Sequence, residues 1–318
     1  MTDRAGSERA VTERAVVPVS GPALPDVVVL SPHLDDAVLS IGALIARLVL
    51  DGRSVQVWTA FTRQPDLARF PRGWRAFGDY PTRLAEDDEA LATLGAGHRR
   101  LDLPERIWRD PRPRTLAGAF RGPATIAEFD CLPALTGTVA QVLADPGVEL
   151  YAPLGIGGHT DHVEVTLAAI RAATACGGLS RVGFYEDFYA LGEAFRRDHP
   201  VSRRLRDPAF RSPGRAAPAL GAALRAMAVA SSGPRLDRYL PDVATWRWRC
   251  ERHPVDGTEE AKLTAVSAYR NQLPRLGGRR RLERVLRRSH RVRGGELVWR
   301  VAATPEPTPP GAPGRPRD

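Results

Sequence analysis

Two periods of apolar and polar positions alternate along the chain. The stretch "DVVVL" (residues 26–30) is a continuous run of β-branched residues, the pattern of a strand buried on both faces of a parallel sheet. "AVLSIGALIARLVLDG" follows with helical spacing and stops on Gly52, and "SVQVWTAFT" returns to strand character. Strand, helix and strand in such quick succession make a βαβ unit. "TRLAEDDEALATLGAG" is a second amphipathic helix with a glycine stop and leads into a strand at "RRLDLP". Further on, "VELYAPLG" and "RVGFYEDF" read as strands flanking the helical "HVEVTLAAIRAATACGG". Late in the chain "TWRWRCERH" alternates with period two, "GTEEAKLTAVSAYRNQL" is helical, and "ELVWRVA" is a last short strand. This alternation predicts an α/β fold: a Rossmann-like, open and mostly parallel sheet with helices on both faces. Ligands of such sheets sit at the C-terminal ends of the strands.

The rhythm also sets the expected boundaries. Residues 1–25 mix charge, Gly and Pro without periodicity and read as a flexible tail; residues 26–303 read as a single domain. Within it, residues 198–240 are rich in Arg, Ala and Pro and form an irregular insertion, or a cap over the active edge of the sheet. Residues 304–318, "TPEPTPPGAPGRPRD", are a disordered Pro-rich tail. No internal repeat is visible.

Composition changes this picture little. Among 318 residues, 43% hydrophobic and 26% charged content is that of a soluble globular protein. The formal charge of +9 is more informative in its make-up, because Lys262 is the only lysine among 46 basic residues. So strong an arginine skew, beside abundant Ala, Gly and Pro, points to GC-rich coding rather than to a phosphate-binding face, so nucleic acid is not expected as a partner. The densest basic group, near residues 277–295, reads as a solvated helix face. Cys131, Cys176 and Cys250 are odd in number and lie outside any C-x-x-C pattern, which argues against a disulfide framework and reads as three small buried apolar residues in a reducing compartment. The first residues carry no apolar leader, and no apolar stretch reaches the ~20 residues of a membrane span. The expectation is a cytoplasmic protein, with no signal for its oligomeric state.

Chemistry concentrates in two segments. "SPHLDD" (31–36) places His33, Asp35 and Asp36 immediately after the first strand. Alone, it fits helix capping as well as metal binding, since Asp before a helix is a good N-cap. "YAPLGIGGHTDHVEV" repeats the arrangement: an apolar strand, a Gly-rich turn, then His159, Asp161 and His162 opening a helix. Three of the chain's seven histidines thus fall at strand ends beside carboxylates. Three N/O side chains with an open position match a catalytic zinc site, and the absence of Cys donors argues against a closed structural one. The surplus, one carboxylate and one imidazole, is what hydrolysis of an amide needs: a base for water and a group facing the oxyanion. Spacing does not say which residue plays which part.

The pair "SPHLDD" and "GHTDH" resembles the two signatures of the PIG-L/LmbE-like zinc N-deacetylases, usually His-Pro-Asp-Asp-Glu and His-x-Asp-His. "RLAEDDEALATLG" is similar to the family's Arg-x-x-Glu helix, "LDLP" to the strand after it, "KLTAVSAYRNQL" to its late Lys-Leu…Tyr-x-x-Gln helix, and "GGELVWR" to its closing segment. The likeness spans residues 26–301 or so. It implies His33, Asp36 and His162 as ligands of one Zn2+ per chain, a role another divalent metal could also fill. It implies Asp35 as general base, His159 as the imidazole facing the oxyanion, Asp161 as its orienting partner, and Arg83 as a substrate-binding residue, for which a salt bridge to Glu86 or Asp87 is the competing role. The implied activity is removal of an acetyl or other acyl group from the nitrogen of an amino-sugar conjugate of the N-acetylglucosaminyl type, in specialised-metabolite or sugar–thiol metabolism. The alternative is a non-catalytic zinc-containing module that binds a sugar or a partner on the same fold. The sequence departs from the signature at Leu34 and Ala37, neither a ligand nor the base. Gly157 and Gly158 offer no hydroxyl to the oxyanion, leaving Tyr185 and Tyr189 as candidates.

Overall fold

The computed structural model describes residues 24–75, 78–205 and 235–302. The expected N-terminal tail, most of the expected cap and the Pro-rich tail therefore fall outside the described residues. Seven strands form one sheet in the order β3-β2-β1-β4-β5-β7-β6. They are β1 (Val27–Ser31), β2 (Val55–Thr59), β3 (Gly97–Arg100), β4 (Glu149–Pro153), β5 (Val182–Tyr185), β6 (Trp248–His253) and β7 (Glu296–Val301). The first five pair in parallel; β7 pairs antiparallel with β5, and β6 with β7. The mostly parallel α/β sheet expected from the alternation is thus present.

The middle strand explains why the apolar runs are so continuous. Every residue of β1 is buried, because β2 and β4 flank it and helices cover both faces. The longer helices are α1 (Asp36–Leu50), α2 (Tyr80–Leu94), α3 (Leu132–Leu143), α4 (Thr160–Ala175), α5 (Glu259–Ser267) and α6 (Arg279–Arg293). Helices α1, α2 and α5 pack together as one layer and α3 with α4 as another. The αL residue Gly95 ends α2, as its glycine stop predicts.

Three elements differ from the expected ones. Helix α3 was not expected: "LPALTGTVAQVL" starts on a proline in the first turn and carries β-branched and Gly residues, so its propensity signal is weak. The helix expected over 257–273 stops at Ser267, where the backbone turns, Glu86 accepts the Asn271 N–H, and the Tyr269 hydroxyl reaches Asp87 at 2.7 Å. Strand β3 begins and ends earlier than "RRLDLP" suggests, although Leu101 and Leu103 still donate to Thr59 and Ala60 of the neighbouring segment. The Arg-rich segment forms α6, whose Leu282, Val285 and Leu286 are buried while Arg280, Arg281, Arg284 and Arg291 face outward. Of the cysteines, Cys131 is buried and Cys250 partly so, but Cys176 is exposed at the end of α4, contrary to expectation. Burial pushes the Cys131 and Cys250 thiols up to about 12.

Candidate active site

Strand order reverses between β1 and β4, with β2 and β3 to one side and β5 to the other. The loops leaving the C-terminal ends of β1 and β4 diverge here, which opens a crevice at the switch point. These loops carry the two segments singled out in the sequence. The second depends on Gly157, whose φ of 97° suits only glycine and where a Cβ would lie 2.9 Å from the Tyr189 side chain.

In the first segment Asp35 occupies the N-cap position of α1, but its side chain makes no capping hydrogen bond. Its φ of 131° is outside the regions open to ordinary L-residues, a conformation that costs on the order of 1–3 kcal/mol. Asp36 does the local hydrogen bonding: its Oδ2 accepts the His33 backbone N–H at 2.9 Å and lies 3.0 Å from His33 Nδ1. The same oxygen is 3.1 Å from Nε2 of His162. The segments, well over a hundred residues apart, therefore meet at Asp36.

Partners behind each ring decide which nitrogen faces the centre. His162 Nδ1 lies 2.6 Å from Asp187 Oδ1, so it carries the proton and donates. Its Nε2 is buried and makes no hydrogen bond. His33 Nε2 lies 3.0 Å from Asp161 Oδ2, an oxygen that also accepts the Arg106 backbone N–H. Arg109 donates to the other oxygen of Asp161 at 2.6 Å and to Glu164 at 2.6 Å. Burial opposes ionisation of Asp161, but Arg109 and the His33 hydrogen bond hold it well below the usual carboxylate range. The ionised Asp161 accepts a hydrogen bond from His33 Nε2–H, so that Nδ1 is the nitrogen turned to Asp36. His159 is arranged the other way: its Nδ1 accepts the Asp161 backbone N–H at 3.3 Å, which leaves the proton on Nε2. Burial, reinforced by His33 and His162, drives this ring down to about 3 and keeps it neutral.

His33, His159 and His162 bring ring nitrogens within 4.8 Å of one another, a grouping that can hold a metal ion. Asp36 lies against two of the three. Burial disfavours the Asp36 anion, yet His162 and His33 hold it well below its ordinary range. His162 is lowered by burial but raised more by Asp36 and Asp187, to about 9. Asp35 is pushed upward by burial and by the neighbouring Asp36 charge.

Arg83, buried on α2, lies near enough to Asp35 to favour its anion. Its Nη1 donates to Glu105 Oε1 at 2.9 Å, and the Tyr80 hydroxyl bonds the same oxygen. Glu86 and Asp87 have other partners, Asn271 and Arg270 for the first and Arg100 and Tyr269 for the second. The ion pair expected for Arg83 is therefore made, with Glu105 in the place of those two. On the opposite side the Phe120 ring stands edge-on to His159 at 4.9 Å, and the Tyr189 ring lies 5.3 Å from His162. Tyr185 is excluded as a donor to the crevice, since its hydroxyl is buried and bonded to the Leu30 carbonyl.

Asp161 is nearer to His33, at 3.0 Å, than to His159 Nδ1, at 3.9 Å. Asp187, which holds His162 Nδ1, lies just past the end of β5, where the sequence reads a carboxylate as lining the site or equally as capping a strand end. Glu105 and Arg109 carry no signal in the sequence. These two sit among short 3-10 turns between β3 and α3, where no periodicity marks them.

Comparisons with known proteins accord with this geometry. Residues 28–173 match the family model described as "PIG-L: GlcNAc-PI de-N-acetylase". A 1D-myo-inositol 2-acetamido-2-deoxy-alpha-D-glucopyranoside deacetylase from Rhodococcus jostii (strain RHA1) is 33% identical over 150 residues, 44% of this chain and 51% of the relative. The like-named enzyme from Rhodococcus opacus (strain B4) is 31% identical over 152 residues, again 44% and 51%. The chain thus matches about half the length of these curated relatives. Among solved structures, a deacetylase of teicoplanin biosynthesis superposes with a TM-score of 0.60 at 21% identity, covering 88% of this chain and 99% of the other. The A40926 pseudoaglycone deacetylase Dbv21 gives 0.55 at 22% identity, covering 87% and 98%. At such identity these two show the fold alone.

Proposed function

From the match of residues 28–173 to the PIG-L family model we propose that this chain is a zinc-dependent amide hydrolase that deacylates the nitrogen of an amino-sugar conjugate. One observation carries the reading. Two imidazole nitrogens, His33 Nδ1 and His162 Nε2, converge on the Asp36 carboxylate oxygen, and Asp35, whose carboxylate makes no capping hydrogen bond, precedes Asp36 in the chain. Separations of 3.0 and 3.1 Å between Asp36 Oδ2 and the two ring nitrogens suit a tetrahedral ion with bonds of about 2.0–2.1 Å. His33, Asp36 and His162 would hold the ion. His159 is left out, because its Nδ1 accepts a backbone hydrogen bond and its Nε2 carries the proton. Nitrogen donors beside one carboxylate suit zinc among the common divalent ions.

When bound, the ion supplies Lewis-acid polarisation of the amide carbonyl and lowers the pKa of water. Asp35, its affinity for protons raised by burial and Asp36, takes the proton from the attacking water. The water oxygen bonds to the carbonyl carbon, and the neutral His159 donates from Nε2 to the oxygen that gains charge. Asp35 then returns the proton to the nitrogen as the C–N bond breaks, releasing the free amine and a carboxylic acid that gives up its remaining proton to solvent. The curated relatives' names support an N-acetylglucosaminyl conjugate as substrate class, and Arg83 with Glu105 offers the polar wall against which sugar hydroxyls would lie.

The test is release of acetate from a panel of N-acetylglucosaminyl compounds, including the inositol conjugate, with and without chelator. Turnover that disappears with chelator and returns with zinc is expected. Asp35→Asn should keep full metal stoichiometry yet lose about 10²-fold or more in rate, the scale of general-base catalysis. Stoichiometric zinc with no release from any compound would instead favour a non-catalytic binding module.

A further inference from the structure

Lys262 stands apart in both sequence and structure. It is the one lysine among 46 basic residues, and only 1% of it is exposed. Its Nζ lies 2.6 Å from Glu296 Oε1, and Glu296 is also buried, so the pair is shut away from water. What the pair touches is the middle of α1.

Helix α1 is interrupted at Ile41, whose φ of −130° and ψ of 30° are not helical. An unbroken helix would pair the Ala43 and Leu44 N–H groups with the Leu39 and Ser40 carbonyls. Here Glu296 takes both donors instead, Ala43 at 3.1 Å and Leu44 at 2.7 Å. The released Ser40 carbonyl accepts from Lys262 Nζ at 3.2 Å. The ion pair therefore satisfies three of those groups, the Ala43 and Leu44 N–H groups and the Ser40 carbonyl. Only a slim shaft fits the route: a Cβ on Gly42 would already lie 3.1 Å from Lys262 Cγ. A compact ammonium fits here, whereas the planar guanidinium used elsewhere in the chain is wider. The break matters because of what lies before it. Residues 36–40 form a short helical piece that carries Asp36, and Asp35 opens it. Ser40 Oγ accepts the Phe188 N–H at 3.1 Å, beside Asp187, which holds His162. A small cavity lined by Ser40, Asp187, Lys262 and Glu296 lies behind this junction.

We propose that Lys262 and Glu296 are a positioning pair that holds α1 broken at Ile41 and thereby aims the turn carrying Asp35 and Asp36 at the metal centre. The inference rests on the site reading given above. Without the pair, the Ala43 and Leu44 donors return to the Leu39 and Ser40 carbonyls, the helix straightens, and the anchored residues Leu44, Ile45 and Leu48 force its first turn to swing.

The test uses the full chain, with Co2+ and Zn2+ as probes. Lys262→Met combined with Glu296→Leu removes both charges together, so that no lone buried ion threatens folding. Expected are zinc affinity lowered by about 10–100-fold in competition with a chromophoric chelator, the scale of changes behind metal ligands, and an altered Co2+ visible spectrum. Val55→Ala, at the buried start of β2 and so at the strand end opposite the crevice, serves as a destabilised control and should leave both readouts unchanged. A double variant with wild-type zinc affinity and Co2+ spectrum overturns the proposal, as does a Val55→Ala control that loses affinity equally. Co2+ binding by a wild-type chain that releases no acetate would remove the hydrolase reading while leaving this inference standing, and a wild-type chain that binds neither metal overturns both.

Discussion

Replacing Asp187 with Asn isolates the partner of a single ring. Asp187 accepts two donors at once, His162 Nδ1–H at 2.6 Å and the Ile156 backbone N–H at 2.9 Å. An amide has one acceptor oxygen, so one of the two donors must face its –NH2 group. If the oxygen stays on His162, a charge-assisted bond becomes a neutral one, a loss of about 1–1.5 kcal/mol and hence about tenfold in whatever depends on that ring. If the –NH2 turns to His162 instead, Nδ1 must accept and Nε2 must carry the proton, which removes the lone pair from the metal centre. Zinc affinity should therefore fall by between about tenfold and about 100-fold, the range found for groups behind metal-bound histidines. Competition against a chromophoric chelator measures it, and 15N chemical shifts of the His162 ring report the tautomer. Unchanged affinity together with an unchanged tautomer would refute the assignment of Nε2 as a ligand.

Arg109→Met strands the carboxylates of Asp161 and Glu164 in the interior, where removing one partner of a buried pair costs about 3–5 kcal/mol. The melting temperature should drop by roughly 6 °C or more, and a drop below about 2 °C would contradict the network. His199 tests a second region. It is buried, accepts the Val201 and Ser202 N–H groups, and is driven down to about 3 by burial, against 6.5 when exposed. Its neutral form stabilises the fold fully above pH 6.5, and that contribution is lost as pH falls towards 3, because the unfolded chain binds the proton first. Wild type and His199→Asn should therefore differ in urea midpoint at pH 7 and converge by pH 4; parallel curves would show that His199 does not titrate in this way.

Legibility from sequence followed the physics of each element. Strands β1, β2, β4 and β5 are buried enough to leave apolar runs, so the sheet and its active edge were readable. The placing of His33, Asp36 and His162 at the active edge was readable too, because a strand end is a fixed point in an open α/β sheet; their choice as ligands over Asp35 and His159 came from the family resemblance. Groups that hold those donors were much harder to see. Arg109 and Glu105 come from an aperiodic stretch, and their partners Asp161, Glu164 and Arg83 lie between 22 and 55 residues away along the chain. Tautomers were likewise hidden, since which nitrogen of His162 and of His159 is left facing the crevice depends on Asp187 and on a backbone N–H. Lys262 was visible as a compositional oddity, but the break it bridges appears only in the backbone of α1.

A crystal structure of the zinc-loaded protein with anomalous diffraction at the zinc edge tests the central claim most directly. One ion should appear with His33 Nδ1, Asp36 Oδ2 and His162 Nε2 at about 2.0–2.2 Å, and with Asp35 and His159 outside its coordination. An ion bound by His159 in place of Asp36, or anomalous density lying elsewhere, would contradict the account.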